Sequence, residues 1–177
     1  MKLSEIEYGY WNKPRLPENE AIENATVLGE FDGIQIHSIT KVGYTYFLIL
    51  NADLTYEGYV EVQQRGTELS FTGLYVNQSS RNRGIASMLI LFILRKLQKK
   101  LVINFDEIIT DDSRGVFYKL LVNNKIKVSA DNKLLSADTL RTLFTDISDN
   151  DTVLVIESKK KKISETCFEI RNSIVYE

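Results

Sequence analysis

The run from Ile85 to Leu94, "IASMLILFIL", restricts the fold more than any other stretch: it holds one serine among apolar residues and is bracketed by Arg81, Arg83, Arg95 and Lys96. It is too short for a bilayer, which takes about 20 apolar residues. A helix that is apolar almost all the way round has to be covered by protein on more than one side. The segment "GIASMLILFILRKLQKK" predicts such a helix, of about four to five turns. A chain of 177 residues, 44% hydrophobic and 26% charged, can supply one core of the required size, so a single domain is expected.

The covering elements precede and follow this helix. "TVLGEFDGIQIHSIT" places Asp32-Gly33 between two β-prone runs, the chemistry of a two-residue hairpin turn. "VGYTYFLILN", "YEGYVEVQQ" and "LSFTGLYV" follow, separated by the short polar turns "ADLT" and "RGTE", which favours an antiparallel meander. Beyond the apolar helix come a strand in "VINFDEIIT", a helix in "DDSRGVFYKLLVNN", a strand "KIKVS", a helix "SADTLRTLFTDI" capped by Ser136, and strands in "DTVLVIES" and "ETCFEIRNSIVYE". The class expected is α/β (α+β), with a mixed, mostly antiparallel central sheet flanked by helices over residues 26–177. Residues 1–25 form an N-terminal arm, broken by Pro14 and Pro17. Its Tyr8, Tyr10 and Trp11 are expected to pack on the domain or on the second chain of a homodimer.

Charge narrows the partners. Lys+Arg 22 against Asp+Glu 24 gives a net charge of -2, so no global basic field draws nucleic acid, and a nucleic-acid partner is not favoured. The lysine run in "KKKKIS" reads as a solvated hairpin tip. The lone Cys167 and an N-terminus with no apolar signal-like run point to the cytoplasm, with no membrane partner and no metal. Cys167 reads as a packed thiol. His37, the one histidine, reads as solvated or structural.

Chemistry concentrates at "RNRGIA". A strand that ends in a tight turn opening a helix leaves several backbone N–H groups aimed at one spot, with the helix dipole adding positive character; this is an anion site. Gly84 permits close backbone approach, Ala86 keeps the first turn thin, and Arg81 and Arg83 add positive charge. A pyrophosphate suits such a place.

The wider stretch "LYVNQSSRNRGIASMLI" resembles the signature of the GNAT superfamily of acyl-CoA-dependent N-acyltransferases. There a strand ending L-x-V is followed by the loop Q/R-x-x-G-x-G/A and a helix. Leu74 and Val76 match the strand end, and Arg81, Gly84 and Ala86 match the loop. Downstream, "DDSRGVFYKLL" is similar to the family's second motif helix at Phe117, Tyr118, Lys119 and Leu120.

The resemblance implies a single GNAT-like domain whose two central strands splay, with acetyl-CoA as donor in the wedge. It implies that the backbone of Leu74, Tyr75 and Val76 pairs with the pantetheine arm and that the N–H groups of Arg81, Asn82, Arg83, Gly84, Ile85, Ala86 and Ser87 hold the pyrophosphate. A backbone N–H on the Leu74 strand would steady the oxyanion. Tyr118 matches the family tyrosine that protonates the leaving thiolate, and Glu61 and Glu68 are the available general bases. The activity expected is N-acetylation of a primary amine on a protein; the alternatives are an inactive GNAT-fold binding module and an acyltransferase acting on a nucleobase amine. Family members insert two helices between the first two strands, and this sequence offers only a hairpin there, so the acceptor side is expected to be open.

Overall fold

A computed structural model describes residues 16, 24–41, 43–52, 55–104, 111–145 and 152–159. Five strands come first: β1 (Thr26–Phe31), β2 (Ile34–Lys41), β3 (Tyr44–Leu50), β4 (Tyr56–Arg65) and β5 (Glu68–Val76). A 3-10 turn at Gln78–Ser80 leads to α1 (Ile85–Leu91), which runs on as a π-helical segment, Phe92–Lys96. Then come β6 (Leu101–Asn104), α2 (Asp111–Val122), β7 (Ile126–Ala130), β8 (Lys133–Leu134), α3 (Ala137–Thr145) and β9 (Val153–Ser158). Among the described residues the strands form one sheet in the order β1-β2-β3-β4-β5-β6-β9-β7-β8. Every neighbouring pair is antiparallel except β5 and β6. The mixed, mostly antiparallel sheet with flanking helices is the expected class.

The apolar helix is covered as its sequence demands. Ile85, Leu89, Ile90, Phe92, Ile93 and Leu94 are all buried, and α1 packs on β3, β4 and β5 on one side and on α2 on another. Phe92 meets Phe31 edge-on at 6.2 Å, and Phe117 of α2 meets Phe71 of β5 edge-on at 5.3 Å. The second face of the sheet carries a separate cluster of Ile39, Leu48, Tyr56 and Tyr59, closed over by Leu16. The Tyr56 hydroxyl donates to the Leu16 carbonyl at 2.9 Å. Strand alternation explains the division: Phe47 and Ile49 serve one face while Tyr46 and Leu48 serve the other.

The turns follow their chemistry. Asp32 and Gly33 both have positive φ, 50° and 79°, as a two-residue hairpin requires. Ser136 Oγ accepts from the Thr139 N–H at 3.1 Å and caps α3. The helix predicted to reach Lys100 stops at Lys96, because the chain reverses at Gln98 (φ 52°) to enter β6. The hairpin to β8 was not anticipated: Asp131 and Asn132 (φ 48° and 62°) turn it without glycine, and a two-residue strand carries no periodicity. Tyr8, Tyr10, Trp11, Cys167 and most of "KKKKIS" lie outside the described residues. No helix among the described residues is long and apolar enough to cross a membrane.

Candidate functional site

The parallel pair opens almost as soon as it forms. Leu69 pairs with Leu101 and Ser70 with Val102, after which β6 continues beside β9 and β5 continues beside β4. A bulge accompanies the parting: Glu61 opposes Gly73 but Val62 opposes Phe71, so Thr72 is the extra residue on β5. Bulges bend a strand and increase its twist, which turns β5 away from β6. The edge of β5 from Thr72 to Val76 therefore faces a wedge with no pairing to β6 among the described residues. Leu74 and Val76 pack into the main core, whereas Tyr75 stacks on Tyr59 of the second face at 5.5 Å.

The end of β5 is held tightly under the helix. A Cβ on Gly58 of β4 would lie 2.7 Å from the Tyr75 carbonyl oxygen and 3.0 Å from Ile85 Cγ2. Gly58 thus lets α1 start directly above the β4–β5 pair. Asn77 N–H donates to the Glu57 carbonyl at 2.8 Å, and Ser80 N–H donates to the Asn77 carbonyl at 2.9 Å. Asn82 (φ 62°) and Gly84 (φ 81°) then reverse the chain into α1. The first helical bond runs from Met88 N–H to the Gly84 carbonyl at 2.9 Å, leaving the N–H groups of Ile85, Ala86 and Ser87 as first-turn donors. No acidic side chain occupies that turn and no side chain caps it.

The two arginines differ. Arg83 Nη1 sits 2.8 Å from Glu57 Oε1, so its charge is pinned to β4. Arg81 Nη1 is 4.0 Å from Asp112 Oδ2, and the Asp112 side chain is 87% exposed; that pair is loose and leaves Arg81 free to turn toward an anion.

No protein-family model and no curated sequence matches the chain. Solved structures do. An acetyltransferase of the GNAT family from Staphylococcus aureus is 13% identical at TM-score 0.40, over 67% of this chain and 69% of that one. Tetrahymena GCN5 is 16% identical at TM-score 0.41, over 67% and 69%. The PaiA N-acetyltransferase from Thermoplasma acidophilum, solved with coenzyme A, is 13% identical at TM-score 0.36, over 66% and 60%. The likeness is one of partial architecture. At these values the chemistry of the site rests on the geometry of this chain alone.

The remaining sequence candidates fall in different places. Glu61 is buried on the second face, where its Oε1 accepts from Thr72 Oγ1 at 2.8 Å and its carboxylate is hydrogen-bonded by the Tyr46 hydroxyl. Burial, then the neighbouring Glu61 charge, holds the Tyr46 phenol far above its ordinary range, so it stays a proton donor. Glu68 is not brought to this group: it opens β5, opposite Arg65 and beside Lys100, at the end of the strand away from the loop. Tyr118 is half-buried on α2 next to Phe117, about 9 Å by helical rise beyond Asp112. Sequence reading missed Gly58, Tyr46 and Thr72; the only local signal was a glycine among aromatic strand residues in "YEGYV".

Proposed function

We propose that the chain is an acetyl-CoA-dependent N-acetyltransferase that acts on a primary amine of a protein. The observation that carries this reading is the free edge of β5 running into the Gly84 turn, since a pyrophosphate and an extended amide-bearing arm need these two features in line. The residues suit that ligand. The N–H groups of Ile85, Ala86 and Ser87 with Arg81 would hold the pyrophosphate, and the backbone of Leu74, Tyr75 and Val76 would bond the amides of the pantetheine arm. Acetyl-CoA supplies an activated acyl group. An N–H on the β5 edge would stabilise the oxyanion, Tyr118 would give the leaving thiolate its proton, and Glu61, opposite Gly73, would take a proton from the amine.

Thermal melting with and without CoA tests the reading. Ligand linkage raises the melting temperature of a protein that binds CoA. Gly84→Glu should abolish the rise by placing a carboxylate at the anion site. Gly84→Asn, which tolerates positive φ and adds no charge, should retain most of it. A wild-type protein indifferent to millimolar CoA rules the enzyme out.

A further inference from the structure

We infer that the row Tyr46, Glu61 and Gly73 is the acceptor subsite, that a primary amine enters it as an ammonium over the bare backbone of Gly73, and that Tyr46 and Thr72 are positioning residues that aim the Glu61 carboxylate. The inference rests on the β5 edge being the thioester site. Tyr46 opposes Glu61 across β3 and β4, and Glu61 opposes Gly73 across β4 and β5, so the three positions form one line across the sheet. Gly73 is the last position in that line before the free edge. Neither packing nor backbone conformation demands glycine there: a Cβ would meet only Glu61 Cβ, at an ordinary 3.6 Å, and its φ is not left-handed. What the glycine does is leave backbone alone between the carboxylate and the wedge.

The surroundings fit a cation. The bulge that parts β5 from β6 also brings the Thr72 hydroxyl to Glu61, and the Tyr46 hydroxyl bonds the same carboxylate. Two donors fix the direction of the carboxylate. Tyr59 packs edge-on to Tyr46 at 5.6 Å and stacks on Tyr75, so π surface lines the same face. Along β5, Gly73 lies about 13 Å from Asn77 at strand rise, within the span of an extended arm anchored at the loop.

The ammonium gives one proton to Glu61, and the freed nitrogen attacks the thioester carbonyl carbon. The C–N bond forms and the C–S bond breaks; the thiolate takes a proton from Tyr118, whose oxygen is reprotonated by the second amine proton. Glu61 returns its proton to water, so amide, thiol and one proton are the products.

The test uses the full chain with acetyl-CoA and a lysine-bearing peptide. Gly73→Val should lower peptide kcat/KM at least tenfold while the CoA melting shift persists, and Gly73→Ala, whose Cβ has room, should lie between it and wild type and decides the matter if the valine variant does not fold. Tyr46→Phe and Thr72→Val each remove a donor that aims the carboxylate and should lower kcat for the peptide several-fold while the KM for acetyl-CoA and the CoA melting shift hold; a merely structural role would leave kcat in place. Wild-type kcat/KM in a folded Gly73→Val, or an unchanged peptide kcat in both hydroxyl variants, overturns the subsite. A wild type that shows the CoA shift but leaves the peptide unmodified also overturns it, while the donor site stands. Absence of the CoA shift overturns both.

Discussion

At the scale of single residues, His37 gives the cleanest pH signature, because it is the chain's one histidine. Its sequence context suggests a solvated or structural side chain, and the structure buries it opposite Leu48, with Nδ1 lacking a hydrogen-bond partner among the described residues. Burial lowers its pKa from the ordinary value of 6.5. The unfolded chain therefore takes up the proton first as pH falls, and stability that is intact above about pH 6.5 is lost progressively toward the lowered folded pKa. Chemical denaturation at pH 7.5 and pH 5.5 should show this decline, and His37→Leu should flatten it; an equal decline in both proteins would assign the effect to carboxylates. Tyr118 offers a second single-atom experiment. Tyr118→Phe keeps the ring that packs on the core and removes only the hydroxyl, so turnover should drop by about 10- to 10,000-fold with CoA affinity unchanged. Unchanged turnover would transfer the acid role to another group or to water.

At the scale of elements, the junction of β4, β5 and α1 depends on a missing side chain. Gly58→Ala puts a methyl 2.7 Å from the Tyr75 carbonyl, which is backbone and cannot swing aside. A loss of about 1–3 kcal/mol is expected, together with a weaker CoA melting shift, because the Gly84 turn rides on this contact. Calorimetry with and without CoA reads both, and a variant as stable as wild type would show that β5 can move without cost. This junction also marks how far the sequence could be read. Alternation and turn chemistry located the strands, Ser136 announced its helix, and the all-apolar run announced a helix enclosed by protein. The Gly84 turn was legible because strand end, glycine and helix start are adjacent in the chain. Glu61 and Glu68 were not separable, since both sit in strand-like sequence. Only the pairing register sets one opposite Gly73 and the other beside Lys100. For the same reason the bulge at Thr72 and the line from Tyr46 to Gly73 had no local trace.

At the scale of the whole molecule, the order of elements decides what can reach the wedge. Between Thr26 and Val76 the described residues form five consecutive strands and no helix, with β1 and β2 joined directly through Asp32 and Gly33. No helical wall therefore stands over that side of the sheet in this span. A closed pocket favours small ligands because it surrounds them, whereas an open surface recovers binding free energy only from a partner large enough to cover it. Leu16 modifies the picture without reversing it: it seals the Tyr56 and Tyr59 cluster, and its carbonyl is tied to Tyr56, so removing everything before Ala25 would strip a buried contact from the sheet. A deletion ending before Leu16 keeps that contact and isolates the question of access. We expect the full chain to acetylate lysine or N-terminal amines of folded proteins with higher kcat/KM than free polyamines or aminoglycosides, and the deletion to preserve that order. Mass spectrometry of mixed protein and small-amine panels, with both forms checked for an unchanged CoA melting shift, measures it. Efficient turnover of small amines by the full chain, with proteins left unmodified and the preference lost on deletion, would mean that residues before Leu16 complete an enclosed pocket and that the absence of helices between β1 and β5 does not set the acceptor.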